Sequence, residues 1–184
     1  MFNTVSKQEK GFTLVEVLAA IVIFSIVSIV LTSYFANALS YSKSNQNKTV
    51  MINLARNALV FMQKQDYGKL HEFYHAEKFG EEHPVILGSS AEASPDLYSE
   101  LFPNTDASAL AAVLHPTINN VAYEINVEYE ADLHQQMLGS SDQQKQKMSK
   151  NLIPVKVVIR GAAGPGGHAT DSAVEGYITN EELR

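Results

Sequence analysis

Residues 10–35 read KGFTLVEVLAAIVIFSIVSIVLTSYF, and the reading of this stretch decides the fold. After Phe12 and before Lys43 the only ionisable side chains are Glu16, Tyr34 and Tyr41. As a helix, the 24 residues from Phe12 to Phe35 span about 36 Å, enough to cross a hydrocarbon core of about 30 Å. Ser25, Ser28, Thr32 and Ser33 interrupt the apolar run, where their hydroxyls can bond back to the helix or let another helix approach. Glu16 is the anomaly. A carboxylate in hydrocarbon is expensive unless it is paired, so its place near the start of the span calls for a partner.

The flanks narrow the reading. Residues 1–11 are short and polar with Lys7 and Lys10, which puts this end on the cytoplasmic side of a membrane. A plain signal anchor is one reading. A cleaved secretory signal is another, since Ala36-Asn37-Ala38 has the small-residue cleavage pattern and would leave a chain beginning at Leu39. The apolar run is longer than the usual secretory core of roughly 7–15 residues, however. The helical pattern also continues past Ala38. Met51, Leu54, Ala55, Ala58, Leu59 and Met62 recur at spacings of three and four, with Asn53, Arg56, Asn57 and Lys64 on another face. Between Phe12 and Tyr67 there is neither glycine nor proline, although the chain has 10 and 6. A single helix from Phe12 to about Gln65 is expected, roughly 80 Å long, with a boundary near Gly68. Its first half must meet lipid or other subunits.

The segment Lys10-Gly11-Phe12-Thr13-Leu14-Val15-Glu16-Val17-Leu18 resembles the N-terminal signature of type IV pilins and pseudopilins. The resemblance covers about 55 residues of the chain and implies a division into a leader over 1–11, a membrane and filament-core half over 12–36, an amphipathic half over 37–67 and a globular domain over 68–184. It implies cleavage by a prepilin peptidase between Gly11 and Phe12, methylation of the new Phe12 amine, and pairing of Glu16 with that ammonium in its own chain or a neighbour. The implied partners are other pilins, the peptidase, an inner-membrane assembly platform with its ATPase, and lipid before assembly. The C-terminal domain would lie outside the cytoplasmic membrane and then on an extracellular or periplasmic filament. Many major pilins kink this helix with a proline; none occurs here, which favours a minor pilin or pseudopilin.

For the rest of the chain the expected class is α+β, a small antiparallel sheet laid on the second half of the helix. Ser94-Pro95-Asp96 starts a short helix through Leu101, and Thr105 or Asp106 caps another over 107–115. VAYEINVEYEA, residues 121–131, alternates apolar and polar residues and is read as a half-buried strand. Further strands are expected over 155–160 and 173–179, with the polar run 134–151 as a loop and GAAGPGG, 161–167, as a turn. The end of the chain loosely resembles the last hairpin of some minor pilins.

Composition bounds the chemistry. The net charge is −6 and there is no cysteine, so disulfides and zinc-thiolate sites are excluded, and bulk charge argues against a dedicated nucleic-acid binder. His71-Glu72-Phe73-Tyr74-His75 has the H-E-x-x-H form of zinc hydrolases, but a third histidine and glycine at the metzincin spacing are replaced by Glu81 and Lys78. A surface helix or solvated loop is the plainer reading, with His71, His75 and His83 as candidate metal ligands. Asp142, Asp171 and Glu175 could supply oxygen to calcium, which some pseudopilins bind near the C-terminus. Lys145, Lys147 and Lys150, in a stretch free of acidic residues from 143 to 170, could touch DNA phosphates. No cofactor and no catalytic residue is expected. The leading expectation is a non-enzymatic filament subunit of a type IV pilus, competence pseudopilus or type II secretion pseudopilus. A metal-dependent hydrolase and a DNA-contacting tip subunit are the alternatives.

Overall fold

A computed structural model of the chain describes residues 11–75, 83–90, 95–161 and 171–180. It divides into two compact units, Met1–Gln46 and Asn47–Arg184. Helix α1, Leu14–Gln63, contributes to both. In the first unit it has no core of its own: every large apolar side chain from Phe12 to Phe35 is exposed.

In the second unit the predicted stripe is the buried one. Met51, Ala55, Ala58 and Met62 are fully buried, while Asn53, Arg56, Asn57 and Lys64 face solvent. The helix stops at Gln63, two residues before the expected end. Lys64 N–H and Gln65 N–H bond back to the carbonyls of Phe61 and Met62, which tightens the last turn. Asp66 then accepts from Lys69 N–H and caps helix α2, Tyr67–Tyr74. Two further short helices follow, α3 over Pro95–Leu101 and α4 over Ala107–Leu114, the latter capped by Asp106 as expected. The expected cap Ser94 and most of the GAAGPGG turn lie outside the described residues.

The sheet has four antiparallel strands in the order β1-β2-β3-β4: Thr117–Ile118, Val121–Tyr129, Leu152–Gly161 and Asp171–Thr179. Asn119 and Asn120 both take positive φ, 51° and 65°. They form the two-residue loop between Ile118 and Val121, where strand twist demands left-handed residues. Register is written in charge on one face. Glu128 sits opposite Lys156 and Lys156 opposite Glu175; Glu124 sits opposite Arg160 and Arg160 opposite Asp171. A slip of one residue would align like faces wrongly and turn Ile125, Val127, Val157 and Ile159 out of the core. Those residues pack with Leu70, Tyr74, Phe102, Leu110 and Leu114. On β4, Gly176 leaves the space that Leu59 of α1 fills.

Three expectations need correction. The run 134–151 is no loop: it holds helices α5, Ala131–Leu138, and α6, Gln143–Ser149, with His134 and Ser149 buried. The strand beginning at Val121 ends at Tyr129, because Glu130 gives its N–H to Pro154 O and Ala131 opens α5. The strand expected at 155 starts at Leu152. Its Pro154 is tolerated because pairing with β2 begins only at Val155.

Candidate functional site

The start of α1 is a closed hydrogen-bonded cap. Thr13 Oγ1 accepts from Glu16 N–H at 3.3 Å, and Glu16 Oε2 accepts from Thr13 N–H at 2.8 Å and from Thr13 Oγ1–H at 2.9 Å. This is the reciprocal capping box of a T-x-x-E sequence, which satisfies two of the helix's orphan donors at once. The sequence reading singled out Glu16 and passed over Thr13, although threonine three residues before glutamate was there to be read. The consequence is positional. The carboxylate is drawn back along the helix toward Phe12, where the positive end of the helix dipole also favours it. Gly11 has nothing within 4 Å of where a Cβ would stand, and Phe12 is 89% exposed, so the Gly11–Phe12 bond is open to approach. Farther along, Ser25 Oγ donates to Ile21 O and Thr32 Oγ1 to Ser28 O. The Ser25 and Thr32 hydroxyls are thus satisfied within the helix. The helix passes length and hydropathy limits for a membrane span.

The other candidate residues lie on or beside α2, α6 and the sheet. HEFYH forms the end of α2 and its C-cap, His75, and the helix is partly buried through Leu70 and Tyr74. The rings of His71 and His75 stack, 4.1 Å apart and 14° from parallel. His75 Nδ1 bonds His71 O, and His83 Nδ1 lies near Tyr74 O. Among the described residues no three of His, Asp and Glu are placed to hold a metal. Asp142 caps α6 by accepting from Gln144 N–H, and Asp171 pairs with Arg160 at 3.5 Å, so these carboxylates are engaged apart. Lys145, Lys147 and Lys150 are exposed on or beside α6.

Burial shapes the remaining titratable groups. It is the main reason that the Tyr67, Tyr74, Tyr98 and Tyr129 hydroxyls are held above the usual phenol range. His71 is pushed down by burial first and by His75 and His134 second. Glu130 is pushed up by burial, then by Glu175, with Lys156 opposing; its Oε2 is buried without a hydrogen-bond partner.

Residues 6–32 match the family described as the prokaryotic N-terminal methylation motif, the signature of type IV pilins and pseudopilins. The chain matches no curated protein and no solved structure. The motif supports a pilin- or pseudopilin-like subunit rather than an enzyme, and with the apolar helix it fits a membrane-anchored protein.

Proposed function

We propose that this chain is a prepilin-type subunit, cut between Gly11 and Phe12, methylated on the new amine of Phe12, and assembled as a minor pilin or pseudopilin into a helical filament. The single observation that carries the reading is the methylation motif over residues 6–32. The exposed Gly11–Phe12 junction and the Thr13–Glu16 cap support it.

The mechanism is one of placement. Cleavage leaves an ammonium on Phe12, one turn before a carboxylate that the cap draws toward it. Charges in a low-dielectric bundle are tolerated only as pairs, so a subunit whose Phe12 or Glu16 is out of register carries an uncompensated charge. Moving the apolar helix from lipid into a bundle changes little apolar exposure, which leaves packing and this pairing to select the position. The domain over 68–184 stays outside the membrane after a single crossing. An assembly platform and its ATPase supply extraction.

Intact mass and N-terminal peptide mapping of the membrane-extracted protein test the proposal. A chain beginning at methylated Phe12 is expected. One beginning at Leu39 would make the protein an ordinary secreted one and end the filament reading.

A further inference from the structure

Among the described residues the sheet has one uncovered edge. At the far side of β2, strand β1 pairs with Val121 and Ala122, and a bridge from Ile86 takes Val127. Strand β4 stands at the other end of the order, with β3 on one side only.

Alternate residues of an antiparallel strand bond toward one neighbour, and the residues between them bond the other way. Two contacts fix which is which on β4. Asn180 N–H donates to Asn151 O at 3.0 Å, continuing the β3–β4 register, so Ser172, Val174, Gly176 and Ile178 bond inward to β3. Gln63 Nε2 donates to Tyr177 O at 3.0 Å from outside the ladder, so Asp171, Ala173, Glu175 and Tyr177 aim their backbone groups outward. Helix α1 thus caps the edge at Tyr177. Over 171–175 the outward N–H and C=O groups of Asp171, Ala173 and Glu175 have no partner among the described residues.

Charge says what kind of strand would fit there. Two rows of side chains cross one face of the sheet in alternating sign. One runs Glu128, Lys156, Glu175; the other runs Glu124, Arg160, Asp171, with Arg160 and Asp171 ion-paired at 3.5 Å. Both rows end on an exposed carboxylate at the open edge. Opposite charges facing each other across strands stabilise a sheet, and like charges destabilise it. A strand that continued both rows would carry a cation opposite Glu175 and another opposite Asp171, four residues apart, whichever way it ran. A second copy of β4 fails that demand: paired antiparallel about Ala173, it would set Asp171 against Glu175 twice.

We propose that the 171–175 edge of β4 is a strand-addition site for a basic segment of another protein, an extended stretch with Lys or Arg at two positions four apart. Backbone hydrogen bonds supply the attraction in such a pairing, and side chains supply the choice. Asp171 and Glu175 select the cations and guard the edge against a second β4. Between the cations the added strand would pass Ala173, whose side chain is small and exposed, and Val174, which packs against the core. A β-branched residue beside Val174 therefore fits.

The test uses full-length protein in detergent micelles and the peptide acetyl-TKVTVKT-amide, whose lysines are four apart. With the site about nine-tenths filled, the amides of Ala173 and Glu175 should exchange with solvent about tenfold more slowly. Those of Val174 and Ile178, already bonded to β3, should change little. Exchanging both lysines for glutamines should weaken binding by up to about fivefold per lost pair, the range for exposed ion pairs. Glu175→Gln should lose half of that preference. Ala173→Pro removes an outward N–H that no β3 bond uses, so it should keep the fold and abolish binding. Unaltered binding to that variant overturns the proposal. So does the absence of slowing at millimolar peptide, or equal slowing by acetyl-TEVTVET-amide, and both of these are read on the unmutated protein. Slowing that grows with protein concentration alone would give the edge to a second copy and overturn it too.

Discussion

Gly88→Ala should be among the most damaging single-methyl additions in the chain. A Cβ at Gly88 would stand against Leu114 O, 2.7 Å from Ile125 O and 2.9 Å from Ile125 N. All three are backbone atoms, so no rotamer change relieves the clash. The strap carrying Gly88 is also bonded to β2, by Ile86 N–H to Val127 O at 3.0 Å, by Val127 N–H to Ile86 O at 2.9 Å and by Gly88 N–H to Asn126 Oδ1 at 3.0 Å. Either the strap lifts and loses these bonds or β2 bends. Overpacking in a rigid core costs about 1–3 kcal/mol, and backbone on every side puts this site at the upper end. The unit Asn47–Arg184 unfolds with an entropy of roughly 0.3 kcal/mol/K, so a loss of about 3 kcal/mol lowers Tm by about 10 °C. Near-ultraviolet circular dichroism of the full-length protein reads this through its tyrosines, without interference from tryptophan, of which there is none. Gly139→Ala is the control, because its Cβ would meet only Gln135 O at 3.4 Å, an ordinary contact, and Tm should move by no more than about 2 °C. A Gly88→Ala protein within that same margin would refute the packing argument.

Other outcomes follow from the same structure. Gly11→Ala should accumulate uncut precursor, visible on an immunoblot as a band heavier by the leader; normal cutting would remove the peptidase reading. Glu16→Ala should be cut and inserted normally yet be depleted from sheared filaments, and unimpaired incorporation would remove the registration argument. Glu130→Gln should raise Tm at pH 7. The folded carboxyl is held above 4.5, chiefly by burial, so ionisation costs stability as pH rises through its value, and the advantage should vanish below pH 4.5. Asp66→Ala removes the cap of α2 and should cost about 1 kcal/mol, or about 3 °C in Tm.

What was legible in the sequence was whatever a period could carry. The α1 stripe from Met51 to Met62 follows from spacing alone, and its buried and exposed residues are those the spacing names. The strand from Val121 was equally plain, except at Asn126. That residue occupies a polar position in the alternation yet is 6% exposed, because it serves Gly88, 38 positions away. No local pattern contains such a partner. The run 134–151 misled for a related reason. Helices α5 and α6 are each about two turns long and mostly polar, with too few apolar residues to show a period. They hold through Asp142 as a cap and through His134, buried against Ser149 O.

At the N-terminal site the signal was local. A charge in an apolar run calls for a partner, and the expected pairing gives Glu16 the amine of Phe12, in its own chain or a neighbour. Thr13, three residues away, is a second partner. A capping box keeps a glutamate at a helix start satisfied by its own chain. The two roles are compatible, because Oε2 takes both bonds from Thr13 and Oε1 is left for an ammonium. A Thr13→Val chain would therefore keep the charge and the bond from its own backbone N–H but lose the hydroxyl's two bonds, and Glu16→Gln would keep the cap but lose the charge. If filament entry depends on charge pairing, the second substitution must be the worse of the two. If the cap alone mattered, the order would reverse.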